Sequence, residues 1–299
     1  MPTLYTLKEV NIRRTWFYLF GFVALILVLG WFLSYYFNDQ ALFSFALIFT
    51  AATTFVSYWF SDKIVLGMAR AIPIEKKDNP ELYRLVENLC LTAGLPLPKI
   101  YIIDDGSPNA FATGRDPSHS AIAVTTGLLN SLERRELEGV IAHELSHIGN
   151  HDTLLATIVV VLVGLVIRVV DLFFRSRWLG GGRDRKEERG GDILFLLGIV
   201  FLILAPIMAQ LLRLAISRKR EFLADASGAL LTRYPDGLAS ALEKISQDPK
   251  RLMAASNATA HLYIINPFKG QNGVNWFTKL FMTHPPVEER INALREMSI

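Results

Sequence analysis

The chain has 299 residues, of which 51% are hydrophobic and 20% charged, with a formal net charge of +3. A mean hydropathy of +0.31 is high for a wholly water-soluble protein and points to membrane segments. The mild charge is no nucleic-acid signature, and a lone cysteine, Cys90, excludes an internal disulfide and fits a reducing compartment.

Residues 15–37 carry no charge over 23 positions, long enough to span a bilayer. Residues 41–60 are a second uncharged run, and only Asn38, Asp39 and Gln40 separate the two, so residues 1–60 read as a transmembrane hairpin. Tyr35, Tyr36 and Trp59 sit near the ends, where aromatic belts lie. Lys8, Arg13 and Arg14 precede the hairpin and Lys63, Arg70, Lys76 and Lys77 follow it, which places both ends on the cytoplasmic side.

Residues 61–152 have soluble character. Asn79, Pro80 and Glu81 read as N-cap, first helical proline and acidic first turn of a helix that runs to about Ala93 and stops at Gly94. Residues 99–103 (KIYII) and 121–125 (AIAVT) read as strands. Asn130, with Glu133 three residues on, is the expected cap of a helix ending near Gly149 and Asn150.

A second apolar pair occupies 153–212. Residues 193–212 are uncharged and look like a span, while the run from 153 meets Arg168 and Asp171 after 15 residues. The 153–174 segment is therefore either a span with a paired charge or a helix buried in protein or at the interface. Four spans are the first choice, although the basic, glycine-rich loop between this pair would then lie outside, against the positive-inside rule. Residues 213–299 return to soluble composition, with a last helix from about Pro286.

Residues 140–152 (VIAHELSHIGNHD) hold three of the six histidines. His143 and His147 are i and i+4, so on a helix they share a face and can hold one Zn²⁺ through neutral ring nitrogens. Glu144 is one residue along, placed to take a proton from water activated by the ion. The pattern encodes metal-assisted hydrolysis, usually of a peptide bond. His151 would lie about 12 Å along the axis from His143 if the helix continued, too far for the same ion; a polar role at a helix end beside the membrane fits it better. Downstream, Glu221 and Asp225 are again i and i+4. Glu221 would complete a His₂Glu site with the fourth position left for water, and Asp225 would accept from the far nitrogen of a ligand histidine. Without the upstream motif these two carboxylates read as a solvated face behind Arg218, Lys219 and Arg220.

Residues 217–228 (SRKREFLADASG), 109–114 (NAFATG), 147–152 (HIGNHD), 261–267 (HLYIINP) and 283–291 (THPPVEERI) together resemble the HtpX family of membrane-bound zinc endopeptidases, over nearly the whole chain. The eukaryotic CAAX prenyl endopeptidases share the catalytic motifs in a longer chain. The resemblance implies one zinc held by His143, His147 and Glu221, with Glu144 as general base. It implies that Asn109, on an edge strand lining the cleft, positions the substrate backbone, and that His284 and Arg290 face the oxyanion of the tetrahedral intermediate. It further implies a mainly α integral membrane protein of the inner (plasma) membrane, its cytoplasmic domain a zincin (gluzincin-like) α+β fold with a small sheet. The implied work is quality control under stress: substrates would be unfolded or misassembled membrane proteins in contact with the lipid bilayer. Two readings compete with it, a processing protease for one defined substrate and a non-catalytic zinc-binding membrane scaffold. Glu144 counts against the scaffold, because a structural site needs no base.

Overall fold

The structure, a computed structural model, describes residues 4–162, 164, 218–256, 258–267 and 285–297. Two long helices open it, α1 (Leu4–Phe37) and α2 (Gln40–Met68). The reversal between them is a Schellman closure. Asn38 takes a left-handed φ of 52°, Asn38 N–H donates to Tyr35 O, and Asp39 N–H donates to Ser34 O. The Asp39 carboxylate then accepts from Ala41 N–H and caps α2.

Helix α2 is long and apolar enough to cross a membrane. Its 29 residues reach about 43 Å, more than the ~30 Å of a hydrocarbon core. The surplus is used inside the domain. Val65 and Leu66 are buried against Phe111, Ala121, Ala123 and Leu155, whereas Phe45, Ile48 and Phe55, nearer the start of the helix, are exposed.

A four-stranded sheet follows in the order β1-β2-β4-β3, from β1 (Ile72–Pro73), β2 (Lys99–Ile103), β3 (Ala110–Asp116) and β4 (His119–Thr125). Strands β2 and β4 are parallel, and the other two pairings are antiparallel. Residues 110–116 carry too many small and polar side chains to announce a strand, and they join the sheet by tertiary pairing alone. Two-residue alternation divides the sheet. Ala110, Ala112, Ile122 and Val124 face one core with α3 (Pro80–Ala93) and the helix at Arg134–Gly149, while Phe111, Ala121 and Ala123 face the other with α2 and the helix at Thr153–Leu162. Helix α3 begins and ends as its sequence dictates: Asn79 accepts from Leu82 N–H, and Gly94 closes it at φ 66°.

The expected cap at Asn130 is not used. Residues 126–131 form a separate short helix, α4 (Thr126–Ser131), and α5 (Arg134–Gly149) starts afresh. Its capping box pairs Glu133 with Glu136, each side chain taking the other's backbone N–H. Helix α6 (Thr153–Leu162) leaves α5 at 85°. Its Leu154, Leu155, Ile158, Val159, Val160 and Leu162 are all buried, and Thr157 Oγ1 lies 3.0 Å from Thr113 Oγ1 on β3. This first part of the 153–174 segment is thus a helix packed inside protein; its remainder and the 193–212 span lie outside the described residues. Helices α7 (Arg218–Thr232), α8 (Pro235–Gln247) and α9 (Val287–Arg295), with a 3₁₀ turn at Ala260–Leu262, complete a mostly helical domain with a small mixed sheet.

Candidate metal centre

The site lies where α7 crosses α5. The crossing is close because residue 228 is glycine: a Cβ there would stand 3.0 Å from His143 N and 3.2 Å from the Ala142 carbonyl carbon. That approach brings Glu221, one end of α7, to the two histidines of α5. The ligand atoms of His143, His147 and Glu221 all lie within 4.8 Å of one another.

The distances fit a tetrahedral zinc. Ligand bonds of 2.0–2.1 Å would set tetrahedral ligand atoms about 3.3–3.4 Å apart. The two Nε2 atoms are 3.2 Å apart, His147 Nε2 is 3.6 Å from Glu221 Oε1, and His143 Nε2 is 3.9 Å from Glu221 Oε2. The donor set also fits. Each Nδ1 faces a carboxylate, so each ring carries its proton on Nδ1 and turns an Nε2 lone pair inward. His143 Nδ1 is 2.9 Å from Asp225 Oδ1, and His147 Nδ1 is 3.3 Å from Asp152 Oδ2. Around the histidines stand four carboxylates (Glu144, Asp152, Glu221, Asp225) and two guanidiniums (Arg220, Arg290), all buried. With both imidazoles neutral and every carboxylate ionised, as a bound cation would favour, this set carries two surplus negative charges, the charge of a dication.

The charges are strongly coupled. Burial, reinforced by Glu221, pushes the Glu144 carboxyl up to about 7, against the opposing pull of His147 and a hydrogen bond with the backbone of Ala112 on β3. A base poised near neutrality suits proton transfer at physiological pH. Burial lowers the His143 imidazole, and Arg290 and His147 add to that, outweighing Asp225. Burial also works against charge on His147, yet Asp152, Glu221 and Glu144 together lift it to about 9.

Two of the residues given roles by the resemblance also hold the protein together. Arg290 does sit at the site, and three of its five N–H donors are spent inside the protein: Nε and Nη2 bind the two Asp225 oxygens at 2.8 and 2.7 Å, and Nη1 binds Ile264 O at 2.9 Å. With 1% exposure it anchors the carboxylate that orients His143, and it approaches the metal ligands at 3.5 Å from His143 Nε2 and 3.8 Å from Glu221 Oε2. Asn109 likewise is buried and committed. One amide N–H donates to Ile265 O at 3.0 Å and its Oδ1 accepts from Ala110 N–H, so it clamps the start of β3 to the 264–265 segment. Strand β3 is nevertheless the edge of the sheet, beside Glu144. His284 lies outside the described residues.

Asp152 and Arg220 were missed by the sequence reading. By sequence Asp152 is only the residue after His151 at a helix end, and Arg220 belongs to a basic cluster of a solvated face. The usable signal was the first residue to follow a helix-ending motif: a Schellman closure returns that residue to the last turn. Here His151, at φ 58°, donates to Ile148 O, and Asp152 N–H donates to His147 O.

Residues 76–298 match Peptidase family M48. A protease HtpX homolog of Thermoanaerobacter pseudethanolicus is 45% identical over 301 residues, 99% of both chains. Another, of Dictyoglomus turgidum, is 46% identical over 296 residues, 99% of this chain and 95% of that one. Among solved structures, that of S. mikatae Ste24p aligns with 97% of this chain and 66% of its own at 20% identity, with a TM-score of 0.46.

Proposed function

The chain belongs to peptidase family M48, among the HtpX proteases, and is a metalloprotease; on that premise we propose that it is an integral membrane zinc endopeptidase whose catalytic domain faces the cytoplasm. The observation that carries this reading is the convergence of His143, His147 and Glu221 within 4.8 Å beside a buried Glu144. One zinc ion per chain would be held by these three residues, supplying Lewis acidity that makes water a nucleophile at neutral pH. Glu144 receives the proton of the attacking water and passes it to the leaving nitrogen. Asp225, fixed by Arg290, keeps His143 in the tautomer that turns Nε2 inward. His284 is retained as the donor to the oxyanion, and the outer edge of β3 beyond Ala110, whose carbonyl is taken by Ile264 N–H, as the rail for an extended substrate.

The membrane reading rests on α1 and α2 and on the seamless passage of α2 into the domain core. A site anchored this way meets loops and unfolded stretches of membrane proteins at the bilayer surface, which is the basis for proposing quality control of misassembled membrane proteins, without nucleic acid, at the plasma (inner) membrane. The test uses detergent-purified, zinc-loaded protein and an unfolded substrate such as casein. Glu144→Gln is expected to keep one zinc per chain while slowing cleavage by at least ~10²-fold. Equal rates in the two proteins, or no zinc in either, would reject the reading. A cleavage map with many sites supports quality control, and a single site supports a dedicated processing role.

A further inference from the structure

We propose that Asp152, braced by Arg220, is the positioning residue for His147, and that through it the metal centre is tied to the mouth of helix α6. The proposal rests on the metal reading of His143, His147 and Glu221.

Each ligand histidine is backed by a carboxylate, and each carboxylate by a guanidinium, but the two relays are built differently. For His143 the parts come from distant helices, Asp225 on α7 and Arg290 on α9, and they meet at 2.7–2.9 Å. For His147 the carboxylate comes from five residues down the same turn. Asp152 Oδ2 faces His147 Nδ1 at 3.3 Å, and Arg220 Nη1 stands 3.7 Å from Oδ1. Asp152 is 6% exposed and Arg220 9%, so the pair works away from bulk water, where it is little screened.

Asp152 occupies two backbone roles at once. It closes α5, donating its N–H to His147 O at 3.0 Å, and it stands immediately before α6, where its own carbonyl accepts from Ala156 N–H. A carboxylate at the N-terminus of a helix is also favoured by the helix dipole. Helix α6 is in turn fixed to β3 by the Thr157–Thr113 contact. Arg220 precedes Glu221 on α7, so adjacent residues supply a metal ligand and the brace for its neighbour's orienting carboxylate. A displacement of α6 or α7 is therefore transmitted to His147, the more exposed of the two ligand histidines at 17% of its side chain.

The bland alternative is that Asp152 merely caps α6. Asp152→Ser separates the two, because serine caps helices about as well as aspartate but is uncharged and too short to reach the ring. Zinc affinity is measured on the full-length detergent-solubilised chain by competition with a chromophoric chelator, alongside the melting temperature of chelator-treated protein. Asp152→Ser is expected to weaken zinc binding ~10–100-fold, the usual effect of removing such a partner and a larger loss than the lowered chelator-treated stability from stranding Arg220 accounts for. Arg220→Gln is expected to weaken binding less, and to add nothing when combined with Asp152→Ser, since it acts through the same carboxylate. Wild-type affinity in Asp152→Ser would overturn the proposal, as would a serine variant that loses zinc only in step with a lowered chelator-treated melting temperature. If Asp152→Ser does not fold, Arg220→Gln alone decides: wild-type affinity overturns the proposal and weakened affinity supports it. Failure of the wild type itself to bind zinc would instead strike the metal reading, and the proposal with it.

Discussion

Arg290→Met separates a structural arginine from an oxyanion donor. The change removes two donors to Asp225 and one to Ile264 O, in a place where Arg290 and Asp225 are each 1% exposed. Burial alone would raise the Asp225 carboxyl; Arg290 and His143 outweigh it and hold it down at about 2, against an ordinary value of 3.8. A gap of that size corresponds to roughly 2–3 kcal/mol. Because the folded-state value is depressed, this stability is fully present above pH ~4 and is lost as pH falls toward 2. Breaking a buried pair by removing one partner costs about 3–5 kcal/mol, since the remaining charge is stranded. At 2–4 °C per kcal/mol for a domain of this size, the chelator-treated variant is expected to melt roughly 6–20 °C below wild type at pH 7. In the variant, burial raises Asp225, so the difference narrows as pH is lowered from 5 toward 3. Thermal unfolding in detergent across that range is the assay. A melting temperature within ~2 °C of wild type at pH 7, with peptide cleavage abolished, would refute the structural role and restore the oxyanion one.

Other consequences are as direct. Gly228→Ala sets a methyl 3.0 Å from His143 N and must push α7 off α5, so zinc content is expected to fall together with a loss of about 1–3 kcal/mol of stability; full occupancy by metal analysis would contradict the close-crossing argument. Asn109→Ala strands the buried Ile265 carbonyl, and a destabilisation of about 1–3 kcal/mol with an unchanged KM is expected in denaturation and peptide-cleavage assays, whereas a raised KM at unaltered stability would return Asn109 to substrate binding. Burial pushes the Cys90 thiol up to about 11, so a thiol reagent at pH 8 is expected to label it only after unfolding. With the folded-state value raised, folding stability is unaffected below pH ~9 and declines as pH climbs toward 11; rapid labelling of folded protein at pH 8 would show that α3 opens readily.

Much was legible from local pattern. The caps of α3, strands β2 and β4, the end of α5 and the pairing of His143 with His147 each depend on residues within one or two turns, where backbone geometry leaves few choices. The start of α5 was misread because Asn130 and Glu133 have the right spacing for a capping box, while Glu133 and Glu136 have it too, and only packing of α4 selects between them. Strand β3 was illegible as a strand, since its Ala-Phe-Ala-Thr-Gly composition pairs only because β4 lies alongside.

The HExxH spacing alone determined that two imidazoles converge and that a carboxylate stands next to them, because an α-helix repeats every 3.6 residues whatever surrounds it. The apolar run at 41–60 likewise determined where a helix long and apolar enough to cross a membrane forms. Only the tertiary structure decided that Glu221 reaches that pair through the close approach at Gly228. It also decided that Arg290 grips Asp225 and Asn109 grips Ile265 inside the protein, and that Asp152 turns back onto His147. Those outcomes depend on what fills the space around a side chain. A buried donor binds the nearest unsatisfied acceptor, and which acceptor that is follows from packing between segments that are far apart along the chain.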